Sequence, residues 1–230
     1  MKLYLLIVSV LVVSGMAIAV GFAEETNKVV VIPLVQEVPA ALTPDQIRQI
    51  CRSYEALGYT PPSEYECPPK LVFVTHAKFG PDLGGVAGAD FKCWGQAMLS
   101  PLTAGREWKA WISESQYNCP YVTFIRSKTR YELVDGTKIA DNFQDLIDGN
   151  LDNPILKNQY NELYYGWVWT GTNAGGLRIS NGHCDGWTSA EASAGGGYAG
   201  YNNYFDDFKW TAYSNIGCET DELPIYCFEQ

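Results

Sequence analysis

The sequence predicts a mixed α+β protein, because segments with helical periodicity alternate with short apolar segments that are typical of strands. Residues 43–58 repeat apolar side chains at helical spacing, whereas residues 71–75 and 164–171 are short runs of aliphatic and aromatic residues. The chain has 230 residues, of which 47% are hydrophobic and 13% aromatic. This composition supports a large buried core and excludes a disordered protein.

The first 23 residues are typical of a signal peptide for export. Lys2 supplies the positive charge, an apolar run follows it, and Gly21 and Ala23 are small residues just before a cleavage point at Glu24. The run is also long enough to span a bilayer if it is not cleaved. We therefore expect an extracellular or cell-envelope protein that contacts a membrane only if residues 1–23 are retained.

Residues 24–69 are predicted to form an N-terminal extension. An apolar run at 28–36 is β-prone, and a helix is expected over 43–58, with Thr43 as its N-cap. A proline-rich connector, TPPSEYECPPK, follows the helix and leads to a domain boundary near Pro69.

Residues 70–230 are predicted to form the main domain, in which strands outnumber helices. Residues 171–209 are rich in Gly, Asn, Ser and Tyr and are expected to form a long irregular region. A loop of that length inside a compact domain is usually functional or disordered. The other expected elements, in chain order, are a strand at 71–75, a helix at 88–99, strands at 108–113, 121–125 and 129–136, a helix at 138–149, and strands at 164–171 and 223–229.

Charge and cysteine usage restrict the classes of partner. The formal net charge is −10, so the chain repels phosphate backbones, and neither nucleic acid nor a heparin-like polyanion is expected to bind. Seven cysteines in an exported chain indicate disulfides. Three bridges and one remaining thiol have about a hundred arrangements. Cys51 and Cys67 flank the turn into the connector, so a bridge between them would join the helix to it.

No residue pattern predicts catalysis, so we expect a protein that is not an enzyme and has no cofactor. His76 and His183 are the only histidines, and no nucleophile motif is present. Gly195, Gly197 and Gly200 match G-x-G-x-x-G, but the preceding strand and following helix of a dinucleotide site are not predicted.

No metal site is expected either. Asp148, Asn150 and Asp152 match the opening of a calcium-binding loop, but its sixth and twelfth positions are Asn153 and Gln159. The acidic residues near 206–222 could hold a hard cation, although a solvated acidic face is the favoured interpretation.

The segment GGGYAGYNNYFDDFKW at 195–210 is the best candidate for a binding surface. Tyrosines at three-residue spacing offer rigid contact area, Gly and Asn offer adaptable hydrogen bonds, and aromatic faces also stack on sugar rings. The alternative is that these tyrosines only cover the core. Trp169, Trp187 and Trp210 are expected in the core. The predicted ligand-binding residues are Tyr198, Tyr201, Asn202, Asn203, Tyr204, Asp206 and Asp207.

Seven segments in order carry a family resemblance: VFVT, LGGVAGADFKC, WKAWIS, YELVDGTKIADNFQDLIDGNLDNPI, VWTGTN, CDGWTS and IYCFEQ. Together, over residues 70–230, they resemble the leptospiral endostatin-like surface proteins, within a wider set of bacterial extracellular domains. The resemblance implies a C-type lectin-like (endostatin-like) fold, in which two helices flank a twisted, mainly antiparallel sheet that holds a long loop region. It also implies the bridges Cys93–Cys227 and Cys184–Cys218, which with Cys51–Cys67 would leave Cys119 unpaired.

The resemblance implies adhesion to extracellular-matrix or other host proteins. The expected function is therefore that of a secreted or surface-displayed, non-catalytic binding module for an extracellular protein. A carbohydrate or cell-wall glycan ligand is the second hypothesis, and a structural envelope protein without a specific ligand is the third. The calcium-binding triplets of sugar-binding C-type lectins and the basic cluster of heparin-binding endostatin are absent from the sequence.

Overall fold

A computed structural model describes residues 9–13, 16–20, 41–219 and 222–230 of the chain. The chain divides into two compact units, Met1–Pro44 and Asp45–Gln230. In the first unit, β1 (Ser9–Val13) pairs with β2 (Met16–Val20) in antiparallel fashion. The strand expected at 28–36 and the expected cleavage point lie outside the described residues. Among the described residues, every helix is too short or too polar to cross a bilayer.

The second unit contains short strands and short helices. Its elements in chain order are α1 (Pro44–Ala56), β3 (Lys70–Val74), α2 (Gly85–Ala97), β4 (Trp108–Ala110), α3 (Pro120–Thr123), β5 (Tyr131–Leu133), β6 (Lys138–Ala140), α4 (Phe143–Leu146), β7 (Trp167–Trp169), α5 (Cys184–Trp187), β8 (Gly196–Tyr201), β9 (Ser214–Gly217) and β10 (Tyr226–Glu229). This composition confirms the α+β class.

Two sheets organise these elements. The larger has the strand order β4-β10-β3-β5-β6, and only the β3–β5 pair in it is parallel. The smaller is antiparallel throughout, with the order β7-β8-β9. The sheets are therefore mainly antiparallel, as expected.

The hydrophobic core forms two clusters that lie on opposite faces of the larger sheet. Neighbouring residues of a strand point to opposite faces. Accordingly Val72 and Val74 of β3 belong to one cluster and Phe73 to the other. The three tryptophans expected in the core, Trp169, Trp187 and Trp210, are fully buried in these clusters.

Helix α1 confirms the predicted N-terminal helix, which starts at Pro44 and is bridged to the connector by Cys51–Cys67. The compact unit begins at Asp45. The expected boundary near Pro69 therefore does not separate two compact units, because α1 and the connector belong to the same unit as the larger sheet.

Three sequence predictions in the main unit are wrong in detail. Residues 120–123 form a helical turn rather than a strand, because Pro120 starts a turn in which the N–H groups of Val122 and Thr123 donate to the carbonyl of Cys119. The helix expected at 138–149 is the strand β6 followed by α4. Asn142 caps α4 by accepting from the N–H groups of its second and third residues.

The third correction concerns the region 171–209, which was expected to be irregular throughout. It contains β8, the six-residue central strand of the smaller sheet. Gly-rich sequence has low β-propensity, so this strand is specified by its neighbours rather than by its own residues. Tyr198 and Tyr201 therefore lie on a strand and not on a loop.

The predicted sulfur pairing is confirmed. Cys51–Cys67, Cys93–Cys227 and Cys184–Cys218 are bonded, and Cys119 is free and buried. Three disulfides indicate an oxidising environment of the extracellular kind.

Candidate functional site

Four aromatic side chains, Trp167, Tyr201, Tyr204 and Tyr213, form a surface group that we call the aromatic cluster. The strand register places Trp167 opposite Tyr201, so both point to the same face of the smaller sheet, with ring centroids 5.4 Å apart in an edge-to-face arrangement. Tyr204 and Tyr213 are stacked, with centroids 5.4 Å apart. The rings of Trp167 and Tyr213 are 5.1 Å apart and close the group.

The cluster is partly open to solvent. Tyr213 is 42% exposed, and the other three rings are half-buried. Aromatic pairs with this spacing hold each other in fixed orientations. The cluster therefore presents a preformed apolar surface whose tyrosines also carry hydroxyl groups.

Asn202 fixes the turn that carries the cluster. Its side chain is fully buried, and its Nδ2 donates to the carbonyls of Ile155 and Tyr164 at 3.1 Å and 2.8 Å. Its Oδ1 accepts from the N–H of Gly166 at 2.9 Å. The amide is thus buried and bonded inside the protein, which does not favour the expected contact of Asn202 with a ligand, and its bonds hold Tyr201 and Tyr204 in place.

Charged residues border the cluster on the side of Tyr204. Lys209 Nζ lies 5.2 Å from the ring centroid of Tyr204, a cation–π distance, and 2.5 Å from Asp207 Oδ2. The hydrogen bond to Asp207 raises the pKa of Lys209 above its usual value. Phe208 is 54% exposed next to them. This border can therefore donate to and accept from a polar ligand.

Apart from the buried Asn202, the six other predicted binding residues fall into three groups. Tyr201, Tyr204 and Asp207 are brought together as described, and Asn203 and Asp206 are exposed in the same turn. Tyr198 lies three residues before Tyr201 on β8 and therefore on the opposite face.

The position of Tyr198 shows that it is not part of the cluster. Its ring packs on Gly182, where an added Cβ would come within 2.4 Å of the tyrosine Cδ2. Trp167 and Tyr213, in contrast, belong to the cluster but were not predicted. Trp167 occupies the outer end of an aromatic strand, which is the only sequence signal that could have pointed to it.

Both histidines form contacts with polar groups close to them in the structure. His76 Nδ1 is 3.1 Å from Asn158 Nδ2 and 3.3 Å from Glu162 Oε2. His183 Nδ1 accepts from the N–H of Gly186 at 2.9 Å and so caps a turn. Burial, with a smaller contribution from Arg178, lowers the pKa of His183. The described residues contain no group of three His, Cys, Asp or Glu side chains that could hold a metal ion.

The turn after His183 is unusual in its backbone. Cys184, Asp185 and Trp187 have φ angles of 42°, 52° and 64°, in the left-handed region that favours glycine. The Cys184–Cys218 bridge and the bond from Trp187 Nε1 to the carbonyl of Ser113 at 2.9 Å hold this strained segment. Its buried anchors make it a support for the smaller sheet.

The structure is therefore that of a disulfide-bonded α+β protein with an aromatic site on its surface. The chain belongs to the family described as "Protein of unknown function (DUF1554)", whose model matches residues 76–204, more than half of the chain. The matched region includes Trp167, Tyr201 and Tyr204 and ends before Tyr213. No curated protein matches the chain.

Proposed function

We propose that this chain is a secreted or surface-displayed, non-catalytic binding module that recognises an extracellular protein through the aromatic cluster. The single observation that carries the proposal is the partly exposed group of Trp167, Tyr201, Tyr204 and Tyr213, held on a sheet by the buried amide of Asn202. Adhesion to extracellular-matrix or other host proteins is the use that its resemblance to endostatin-like surface proteins suggests.

The chemistry of the cluster suits protein recognition. Tyr and Trp are enriched among the residues that contribute most to protein–protein affinity, because they bury much surface and have few rotatable bonds. Here neighbouring rings already restrict those bonds. A partner would therefore lose little affinity to the ordering of these side chains.

A C-type lectin-like, endostatin-like fold is part of the proposal. Two bridges support it: Cys93–Cys227 joins the first helix of the main region to the last strand, and Cys184–Cys218 is the inner bridge. The mainly antiparallel sheets also agree with such a fold. Export through residues 1–23 is the route that we propose to the oxidising environment in which the bridges form.

A glycan is the second candidate ligand, and the border of the cluster favours it. Exposed Asn203 and Asp206 and the Asp207–Lys209 pair offer donors and acceptors for sugar hydroxyl groups beside aromatic faces on which a sugar ring could stack. A structural envelope protein without a specific ligand is the remaining hypothesis.

The absence of catalysis is also a proposal, and the contacts of His183 and Cys119 support it. His183 uses Nδ1 as a cap acceptor. The thiol of Cys119 is buried and lies 3.7 Å from the carbonyl of Gln116.

Binding to a panel of immobilised matrix proteins and to a glycan array tests the proposal. We expect the wild-type chain to bind members of the protein panel, and the double variant Tyr201→Ala, Tyr204→Ala to weaken that binding at least about tenfold, since residues at the centre of an interface contribute on the order of 1–2 kcal/mol each. Tyr59→Ala removes a tyrosine that is 64% exposed outside the cluster and serves as the matched control.

The outcomes separate the three hypotheses. Binding confined to the glycan array and lost in the double variant would assign the cluster to sugars. Unchanged binding in a folded double variant would exclude the cluster as the site. No binding to either panel would favour the structural hypothesis.

A further inference from the structure

A second exposed surface lies on helix α2 and the turn after it. Its five large side chains are between 44% and 67% exposed, and we call them the apolar patch: Phe91, Trp94, Met98, Leu99 and Leu102. Together they present about 500 Å² of apolar surface, close to the largest patch that ordinary monomers expose, and patches of this size are often functional.

The orientation of α2 is fixed by its other face, so the patch cannot turn inward. Ala89, Cys93 and Ala97 are fully buried, and Cys93 is bonded to Cys227 of β10. Phe91 and Trp94 lie one turn apart on the outer face and stack with centroids 5.5 Å apart. A helix with apolar residues on both faces usually contacts a second apolar environment in addition to the core of its own protein.

The charge around the patch differs from that of the chain. The net charge of the chain is −10, yet residues 91–106 contain no Asp or Glu and include Lys92; their second cation, Arg106, is already paired with Glu229 at 2.6 Å. The carboxylate that precedes them, Asp90, accepts from the N–H of Ala110 at 2.8 Å and so points toward β4. An acid-free apolar surface on an acidic protein can approach phosphate groups where the rest of the surface is repelled.

We propose that the apolar patch inserts into the interfacial region of a phospholipid bilayer. Trp, Phe and Leu are the residues that bury there, with Lys and Arg beside the phosphates, and the binding energy scales with the apolar area removed from water. The site is separate from the aromatic cluster, so the inference does not depend on the proposed ligand-binding function.

A second copy of the chain is the less favoured occupant. Two such patches would bury about 1,000 Å² in total, below the roughly 1,200–2,000 Å² of stable specific interfaces. A two-fold interface would also bring together two strongly acidic chains, while residues 91–106 supply no carboxylate that could pair with Lys92 of the second copy. A bilayer surface provides phosphates for this cation.

Gly95 gives a sharp test, because it lies on the helix within the patch and a Cβ added there meets no atom within 4 Å. Gly95→Glu places a carboxylate in the patch, and Gly95→Ala is the matched neutral control. Both are made in a chain that begins at Glu24, which omits the apolar N-terminal run and keeps both hydrophobic clusters and all three disulfides.

Co-flotation with vesicles of phosphatidylcholine and phosphatidylethanolamine is the measurement. We expect the wild-type chain and Gly95→Ala to float with the vesicles, and Gly95→Glu and Trp94→Ala to lose at least about tenfold in partition, because one adds a charge and the other removes apolar area. Circular dichroism and the melting temperature of each variant verify that it is folded.

Two results would overturn the proposal. One is that wild-type chain stays at the bottom of the gradient, or that Gly95→Glu floats as well as Gly95→Ala. The other is a concentration-dependent dimer, seen by light scattering, that Gly95→Glu dissociates while no variant changes flotation. That result would assign the patch to a second copy.

Discussion

At the scale of single residues, Glu55 connects α1 to the rest of its unit. Its carboxylate is fully buried, and Oε1 accepts from Ser127 Oγ at 3.0 Å and from the N–H of Lys128 at 2.6 Å. Oε2 lies 3.4 Å from Nζ of Lys70, whose side chain is only 7% exposed. A buried charge of this kind is tolerated because it is paired and hydrogen-bonded.

Glu55→Gln tests this connection. The amide keeps an acceptor for Ser127 but leaves Lys70 buried without a counter-charge, so we expect the free energy of unfolding to fall by about 3–5 kcal/mol. The measurement is urea denaturation. Asp141→Asn, which breaks an exposed pair with Lys138, is the control and should cost less than about 1 kcal/mol. Equal losses in the two variants would mean that the buried pair does not anchor α1.

The roles of single residues in the candidate site could be predicted only in part from the sequence. The sequence singles out the Tyr-rich segment as a candidate binding surface, and the structure brings Tyr201 and Tyr204 of that segment together. The same segment does not reveal that Asn202 is buried, because its partners Ile155 and Tyr164 are 47 and 38 residues away in sequence. Burial that depends on such distant contacts leaves no mark in the local pattern.

At the scale of elements, the smaller sheet depends on close approach at Gly200 in β8. A Cβ added there would lie 1.9 Å from the carbonyl oxygen of Trp210, a backbone atom that cannot move aside independently. The strand therefore needs glycine for space and not for an unusual φ angle. This requirement explains how a segment of low β-propensity became a central strand.

Gly200→Ala should consequently destabilise the protein by about 1–3 kcal/mol, the usual cost of forcing extra atoms into a packed interior. Gly95→Ala, in open space on a helix, is the matched control and should stabilise by up to about 1 kcal/mol. Thermal unfolding followed by circular dichroism measures both. A melting temperature of Gly200→Ala at or above that of the wild type would show that Trp210 moves aside without strain.

Elements with strong local signals were predicted well, and the others were not. The helix at 43–58 and the strands at 71–75 and 223–229 correspond to α1, β3 and β10, because periodicity, capping and apolar runs all agree there. The strand expected at 121–125 was wrong because Pro120 overrides the β-prone residues after it. Pairing with β5 decided the conformation of residues 138–140, which local propensity could not indicate.

At the scale of the whole molecule, the covalent framework determines which distant segments stay together. The α+β class follows from the sequence patterns alone, but cysteine counting left about a hundred pairings open. The pairs Cys93–Cys227 and Cys184–Cys218 could be chosen only through the family resemblance. Helix α2 and strand β10 are separated by most of the main unit in sequence, and no local signal relates them.

The three bridges should differ in their contribution to stability according to the length of chain that they close. Cys93–Cys227 closes 134 residues and Cys51–Cys67 closes 16, so loop entropy predicts losses of about 5 and about 3 kcal/mol when each pair is replaced by alanine. Urea denaturation of the two double variants measures the difference, with Cys119→Ala as the control that removes a thiol but no crosslink. Because Cys93 also fixes the face of α2 that is buried, its removal should expose more apolar surface to a hydrophobic dye. An equal loss in both double variants would show that local packing, and not chain closure, decides how these bridges stabilise the molecule.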